Sequence, residues 1–387
     1  MYMAAGASDG DVGVRTRAGY AILYARSGTD WNMIQQINGT RSYGGFGWSL
    51  DFSDDGSILT IGEFDGHVYV YELSSSSFLY ELLYTTYDII SANPADIDAE
   101  EVSVSGDGMV FGFTSTSVGT KIFERIGDGF QQRGAVISGY GDGIALNYDG
   151  SIVIVGDRNW PSNTGRASVF QWKNDNEDGS MQWMQMGSDI TGDATDDYLG
   201  WYGCVSFTYD GLTIAVGSYG YDRDGLRSRG LVRVYNYDST SDTWQQSGID
   251  LVGDNAYDKF SRTSFSSDGA YLAVGASDSF VRLFAKNGDN YVAVRDTIIG
   301  EGYRFAWSVD ISADASALVV GDFSFDGNKG KVYLYDTFSS SPTSTPTTSP
   351  STSPTRAPQS SSMASMNPTA SNAQFSLICM LLLWMFL

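Results

Sequence analysis

Cys204 and Cys379 are the only cysteines in 387 residues, so no disulfide framework can be read from the chain. Cysteine usage gives no support to an oxidising compartment, although a large β domain buries core enough to do without bridges. Histidine is scarcer still. His67 stands alone, and a Ser-His-Asp triad, a His-based metal site or His acid–base work would each have to rest on it. No Ser or Cys motif accompanies it, which predicts a structural or solvent-facing role. Basic residues number 23 against 46 acidic ones, for a net charge of -23 and a pI near 4.2. Such a chain repels a phosphate backbone, which excludes nucleic acid as an expected partner. Long amphipathic helices are also missing.

What is present is β chemistry. Aromatic residues make up 14% and glycines number 45, a mix suited to pleated, half-buried strands punctuated by tight turns. The acidity is almost wholly Asp, 38 residues against 8 Glu, and Asp is the acid that turns favour because it bonds its own backbone. Six turns carry an Asp followed by a small residue: Asp55-Gly56, Asp107-Gly108, Asp149-Gly150, Asp210-Gly211, Asp268-Gly269 and Asp314-Ala315, with successive Asp residues 52, 42, 61, 58 and 46 apart. That interval holds four short strands and their loops, which predicts one propeller blade per repeat.

Each turn follows an alternating strand, as in Trp48, Leu50, Phe52 or Trp307, Val309, Ile311. It precedes a nearly continuous apolar run ending on Gly, such as Ile152 to Gly156 or Leu272 to Gly275. A third strand alternates β-branched and aromatic residues, as in Val232 to Tyr235 and Val332 to Tyr335. The fourth opens on an aromatic: Trp31, Phe130, Trp183, Trp244 and Tyr291 hold corresponding positions, which predicts one repeated packing role. The loop between second and third strands is short at Glu63 to Gly66 and Ala276 to Ser279. It is long at Asp157 to Gly165, Ser218 to Gly230 and Asp322 to Gly330, and all such loops should share one face as an uneven rim. The reading is therefore an all-β propeller of about seven four-stranded blades over residues 1–338.

The unit from Trp183 to Tyr237 contains Gly192-Asp193, Asp197, Leu199-Gly200, Asp210-Gly211, Ala215-Val-Gly217, and Gly230 before Val232-Arg-Val-Tyr235; the next echoes it with Gly253-Asp254, Asp258 and Phe260-Ser261. Together with Phe46-Gly47, this resembles the FG-GAP repeats of integrin-α-like propellers over about residues 1–336. Leu199-Gly200, Phe260-Ser261 and Phe305-Ala306 depart from the name-giving pair. A WD40 propeller is the structural runner-up, without its recurrent Gly-His and Trp-Asp signatures. The resemblance implies architecture, and one propeller can host adhesion, scaffolding or hydrolysis.

Integrin-like propellers can also hold Ca²⁺ in Asp-rich loops. The nearest local match is Asp222-Arg-Asp224-Gly225, without the third spaced carboxylate and the bidentate Glu. No cofactor is expected, with Ca²⁺ at Asp222 and Asp224 the weak candidate. Asp193/Asp197 and Asp254/Asp258 read as loop-shaping pairs. Trp48, Trp160, Trp172 and Trp201 are candidates for carbohydrate stacking, and Trp31, Trp183 and Trp244 for the repeat core. No residue set amounts to a catalytic site.

Ser, Thr and Pro fill 21 of the 24 positions from Ser339 to Ser362, which predicts an extended stalk and spacer over residues 339–374. Residues 375–387 form a hydrophobic tail too short to span a bilayer core as a helix. Its layout resembles a GPI-attachment signal with Ser360 as the attachment candidate; a short membrane anchor is the competing reading. Asn38-Gly-Thr40 is an N-glycosylation acceptor on a secreted chain. Met1 to Gly6 matches the second strand of a blade, so the N-terminal blade reads as incomplete. No secretory signal is found in the first 20 residues, and together these predict a truncated start. The resulting expectation is a non-catalytic recognition or adhesion module on the outer cell surface, binding protein or glycan partners through its loops. The alternative is an extracellular hydrolase, such as a glycoside hydrolase, with a carboxylate pair in the propeller funnel.

Overall fold

In a computed structural model, residues 1–337 are described apart from 65, 87–100, 140, 175–178, 278 and 302. The stalk, the tail and Ser360 lie outside the described residues. Seven small antiparallel sheets form a ring: a seven-bladed propeller, as the repeat predicts.

The first sheet has three strands, β1 (Tyr2–Ala7), β2 (Tyr20–Ser27) and β3 (Asp30–Asn38). The second runs outward from the axis as β4 (Ser49–Phe52), β5 (Ile58–Gly62), β6 (Val68–Leu73) and β7 (Tyr80–Thr85). The third repeats this with β8 (Glu101–Val104), β9 (Val110–Thr114), β10 (Lys121–Ile126) and β11 (Gly129–Gln132). The fourth holds β12 (Ile144–Leu146), β13 (Ile152–Asp157), β14 (Arg166–Asn174), β15 (Met181–Gln185) and the short β16 (Ile190–Thr191). The fifth holds β17 (Val205–Phe207), β18 (Thr213–Ser218), β19 (Leu231–Asp238) and β20 (Thr243–Val252). The sixth holds β21 (Phe260–Phe265), β22 (Tyr271–Ala276), β23 (Phe280–Asn287), β24 (Asn290–Ala293) and β25 (Ile298–Ile299). The seventh has only β26 (Phe305–Ile311), β27 (Ala317–Asp322) and β28 (Lys331–Asp336).

The Asp turns are built alike in all six copies. Asp55 Oδ1 accepts the Ser57 N–H and the Ser53 hydroxyl, both at 2.8 Å, and Ser53 Oγ accepts the Ile58 N–H. The same net recurs at Asp107, Asp149, Asp210, Asp268 and Asp314. Much of the negative charge thus satisfies turn backbone that strand pairing leaves open.

The Gly near the end of the second strand has a packing cause in four of the blades. A Cβ on Gly6, Gly156, Gly217 or Gly275 would stand 2.0, 1.8, 2.0 or 2.6 Å from the carbonyl oxygen of Gly47, Gly200, Ser261 or Ala306 on the next sheet. The residues before those carbonyls, Phe46, Leu199, Phe260 and Phe305, are buried wedges between blades. The residues that carry the FG-GAP likeness therefore mark a close backbone crossing between neighbouring blades.

The outer strands carry the repeated aromatic. The Trp183 and Trp244 indoles donate to the carbonyls of Arg133 and Met186, each at 2.9 Å. Tyr80 and Tyr291 instead reach the turn carbonyls of Gly56 and Gly269. Among the described residues the ring is closed by side chains rather than by strand pairing. The first and seventh sheets remain separate and meet through Met3, Ile22 and Tyr24 packed on Ala317 and Leu334, with Arg26 3.0 Å from Asp336.

Candidate functional site in the central channel

The innermost strand of each blade has one edge facing the axis, where backbone N–H groups lack a ladder partner. Side chains of the neighbouring inner strand supply the acceptors. Ser49 Oγ takes the Val102 N–H at 3.0 Å, Asp51 Oδ2 the Val104 N–H at 2.8 Å, and Ser103 Oγ the Leu146 N–H at 3.1 Å. Ser264 Oγ takes the Ile311 N–H at 3.1 Å and donates to Asp310 at 2.8 Å. Glu101 reaches further, with one oxygen 3.0 Å from the Ile144 N–H and the other 2.9 Å from the Gly203 N–H.

These strands enclose a channel of about 390 Å³ lined by Trp48, Asp51, Glu101, Tyr202, Arg262 and Trp307 among others. Its turn-side end is drawn together by backbone bonds between neighbouring turns, including Tyr148 to Tyr209 and Tyr209 to Ser267. The Ser267 hydroxyl also crosses to Asp54 at 2.9 Å. At the other end, Trp201 lies against Tyr202, Tyr219 and Trp307. Arg158, from the long loop after β13, covers Trp201 and Tyr202.

Two sets of carboxylates must be told apart. Asp55, Asp149 and Asp314 lose some hydration, but the turn N–H and hydroxyl donors outweigh that and hold them below the usual range. The channel set is shifted the other way. Loss of water in the channel wall pushes Asp51 up to about 7, with Asp310 adding repulsion and the Val104 N–H opposing. The same cause pushes Glu101 up to about 8, against its two backbone donors and Arg262. Burial raises Asp142 to about 6 although Arg158 lies 3.5 Å away.

Arg262 is 2% exposed. Its guanidinium packs against both Trp201 and Trp307, 5.4 and 4.8 Å from the ring centroids, which themselves meet edge to face at 6.2 Å. Nη1 is 3.6 Å from Cys204 Sγ, while Nε and Nη2 have no hydrogen-bond partner. Sequence reasoning missed Asp51, Glu101 and Arg262. Aligned on the turn Asp, the inner strands place Ser49, Glu101, Gly143, Cys204, Arg262 and Ser308 at one level, and Asp51, Ser103, Ala145, Ser206, Ser264 and Asp310 at the next. The charged residues interrupt otherwise small side chains, and that interruption was the available signal.

The candidates singled out from sequence lie elsewhere. His67 is buried at the start of β6, and desolvation with nearby Arg41 lowers its pKa to about 4. Asp222 accepts the Ser228 N–H, and Asp224 is 3.2 Å from Arg229. Among the described residues no three His, Cys, Asp or Glu side chains gather to hold a metal ion. Asp197 and Asp258 each accept two N–H groups of their own loops, from Asp193 and Ala194 and from Asp254 and Asn255. Asn38 is exposed at the end of β3. Of the four stacking candidates only Trp160 is strongly exposed, and Arg166 covers its ring at 3.9 Å. Trp48 is buried beside the channel, and Trp172 packs on Trp183.

No family model and no curated protein matches the chain. Solved structures similar to it include a putative 6-phosphogluconolactonase from Bacteroides uniformis, at 14% identity and TM-score 0.57. A periplasmic gluconolactonase from Pseudomonas aeruginosa is similar at 14% and 0.58, and a protein from Lactobacillus plantarum at 15% and 0.57. Each comparison covers 87% of this chain and 92% of the other. At these identities the likeness establishes the propeller fold. The expected non-catalytic recognition or adhesion module is corrected on the same comparison, since two of these propellers are named as lactonases. The better-supported reading is the alternative, with carboxylates in the funnel.

Proposed function

We propose that the chain is a hydrolase acting inside the channel on a small cyclic ester of the sugar-lactone type. The observation that carries this reading is the presence of Asp51 and Glu101 in the lining of one channel with Arg262, two of whose buried N–H donors have no protein partner. The lactonase names of the similar propellers support the same class.

In this scheme Arg262 donates to the carbonyl oxygen, where negative charge develops as water attacks. Asp51, with a pKa near 7, takes the proton from the attacking water as the new C–O bond forms. Collapse of the tetrahedral intermediate breaks the ring C–O bond. Glu101, protonated at neutral pH because its pKa is near 8, gives its proton to the departing ring oxygen. The products are a hydroxy acid and the two carboxyl groups with their proton exchanged, and atoms and charge balance. Two carboxyl groups with separated roles are the usual arrangement for such acid–base work.

Proton release from glucono-δ-lactone in weak buffer, above the spontaneous rate, tests the proposal. Asp51→Asn should lower kcat at least 100-fold, in keeping with general-base catalysis. Wild-type rates in both Asp51→Asn and Glu101→Gln would remove these residues from the mechanism.

A further inference from the structure

We propose that Arg262 is a preformed receptor for the carboxylate of a hydroxy acid. The guanidinium packs against the two indole rings, with Nη1 beside the Cys204 sulfur. The edge formed by Nε and Nη2 is buried and has no protein partner. Those two N–H groups are parallel, and that edge of arginine meets both oxygens of a carboxylate at once.

Leaving two charged donors unsatisfied at 2% exposure is costly unless a ligand completes them. Glu101 does not complete them: Nε and Nη2 have no partner, while its two oxygens accept the Ile144 and Gly203 N–H groups. The channel volume of about 390 Å³ lies in the range of small-molecule sites. Ser103, Ser206, Thr263 and Ser264 line it, together with Trp48 and Trp307. A planar anion bearing several hydroxyls matches this lining better than a bare monatomic ion.

The inference deepens the hydrolase reading, because lactone hydrolysis releases such an acid, but binding and turnover are measured separately. Calorimetric titration of the full-length chain with sodium gluconate should show saturable one-to-one binding. Gluconamide, neutral and nearly isosteric, should bind at least tenfold more weakly to the same wild-type chain. Arg262→Lys, which keeps the charge and loses the planar fork, should weaken gluconate at least tenfold. The gluconate–gluconamide comparison needs no variant, so misfolding of Arg262→Lys leaves a decisive measurement. Absence of gluconate binding, equal binding of gluconamide, or unchanged affinity in a folded Arg262→Lys chain would each overturn the proposal. Gluconate binding without lactone turnover would uphold it and sink the hydrolase reading alone.

Discussion

Raising the pH should destabilise this protein across the neutral range, and removing two carboxyl groups should abolish most of that dependence. Asp51 and Glu101 have folded-state pKa values near 7 and 8, whereas in an unfolded chain they titrate near 4. An acid whose pKa is raised on folding holds its proton in the native state at a pH where the unfolded chain has lost it. Its contribution is therefore fully present below about pH 4 and is lost as pH rises through 7 and 8. A rise of about 3 in pKa corresponds to about 4 kcal/mol per group as an upper bound. The protein interior responds to charge as a medium of higher effective dielectric than dry protein, so a combined loss of roughly 2–4 kcal/mol between pH 5 and pH 9 is the working figure.

The double variant Asp51→Asn with Glu101→Gln separates this from the general repulsion of a chain with net charge -23. An amide keeps one oxygen for the Val104 N–H, but at position 101 its nitrogen must face either the Ile144 or the Gly203 N–H. The variant should accordingly be about 1–2 kcal/mol less stable than wild type at pH 5. By pH 9 it should be equal or more stable, with the two curves crossing. Urea midpoints at unit pH steps from 5 to 9, with the slope m checked for constancy, give the comparison. Parallel curves for the two proteins would refute the assignment of raised pKa values to these groups.

Below pH 4 the turn carboxylates should dominate with the opposite sign: Asp55, Asp149 and Asp314 have depressed pKa values, so their stabilisation falls as pH drops through those values, seen as a steep acid limb in circular dichroism. Gly217→Ala puts a Cβ 2.0 Å from the Ser261 carbonyl oxygen and should cost roughly 1–3 kcal/mol in denaturant midpoint; a neutral result would mean the fifth and sixth blades separate freely there. Trp244→Phe removes the indole donor to Met186 and should cost about 1 kcal/mol, measurable by the same titration. Ser264→Ala orphans the Ile311 N–H and should cost roughly 1–3 kcal/mol, with amide exchange at Ile311 accelerated more than at Leu318 in the same blade.

The blade was legible because its signals are local and repeated six times. An Asp bonding the N–H two residues on, an apolar run buried on both faces, and an aromatic opening the outer strand each express a short-range rule. Repetition at a fixed period separates such rules from chance. The Gly closing the second strand was visible as a pattern, but its cause was not. It answers a carbonyl in the next blade, about 45 residues away in the pair Gly217 and Ser261, and no local rule records that contact. The ends were harder still, since the first and seventh sheets join through side chains across the whole length of the described chain.

The site was hidden by the same regularity that revealed the fold. In a repeat protein most positions are explained by the repeat, so attention falls on motifs that stand out locally, such as the lone His67 or the Asp222-Arg-Asp224 triplet. Function in a closed ring follows a different geometry: the residues that meet are those at one level of successive inner strands, one per blade, 40 to 60 positions apart. Glu101, Cys204 and Arg262 share such a level, and each looks ordinary in its own segment. Only stacking the strands on the turn Asp shows that a level carrying Ser49, Gly143 and Ser308 also carries an acid, a thiol and a guanidinium. A charged side chain is costly where the axis excludes water, and blades that need only a hydroxyl there use one. The exceptions are therefore where the ring departs from what its own stability asks, and the acid and the guanidinium both line one channel.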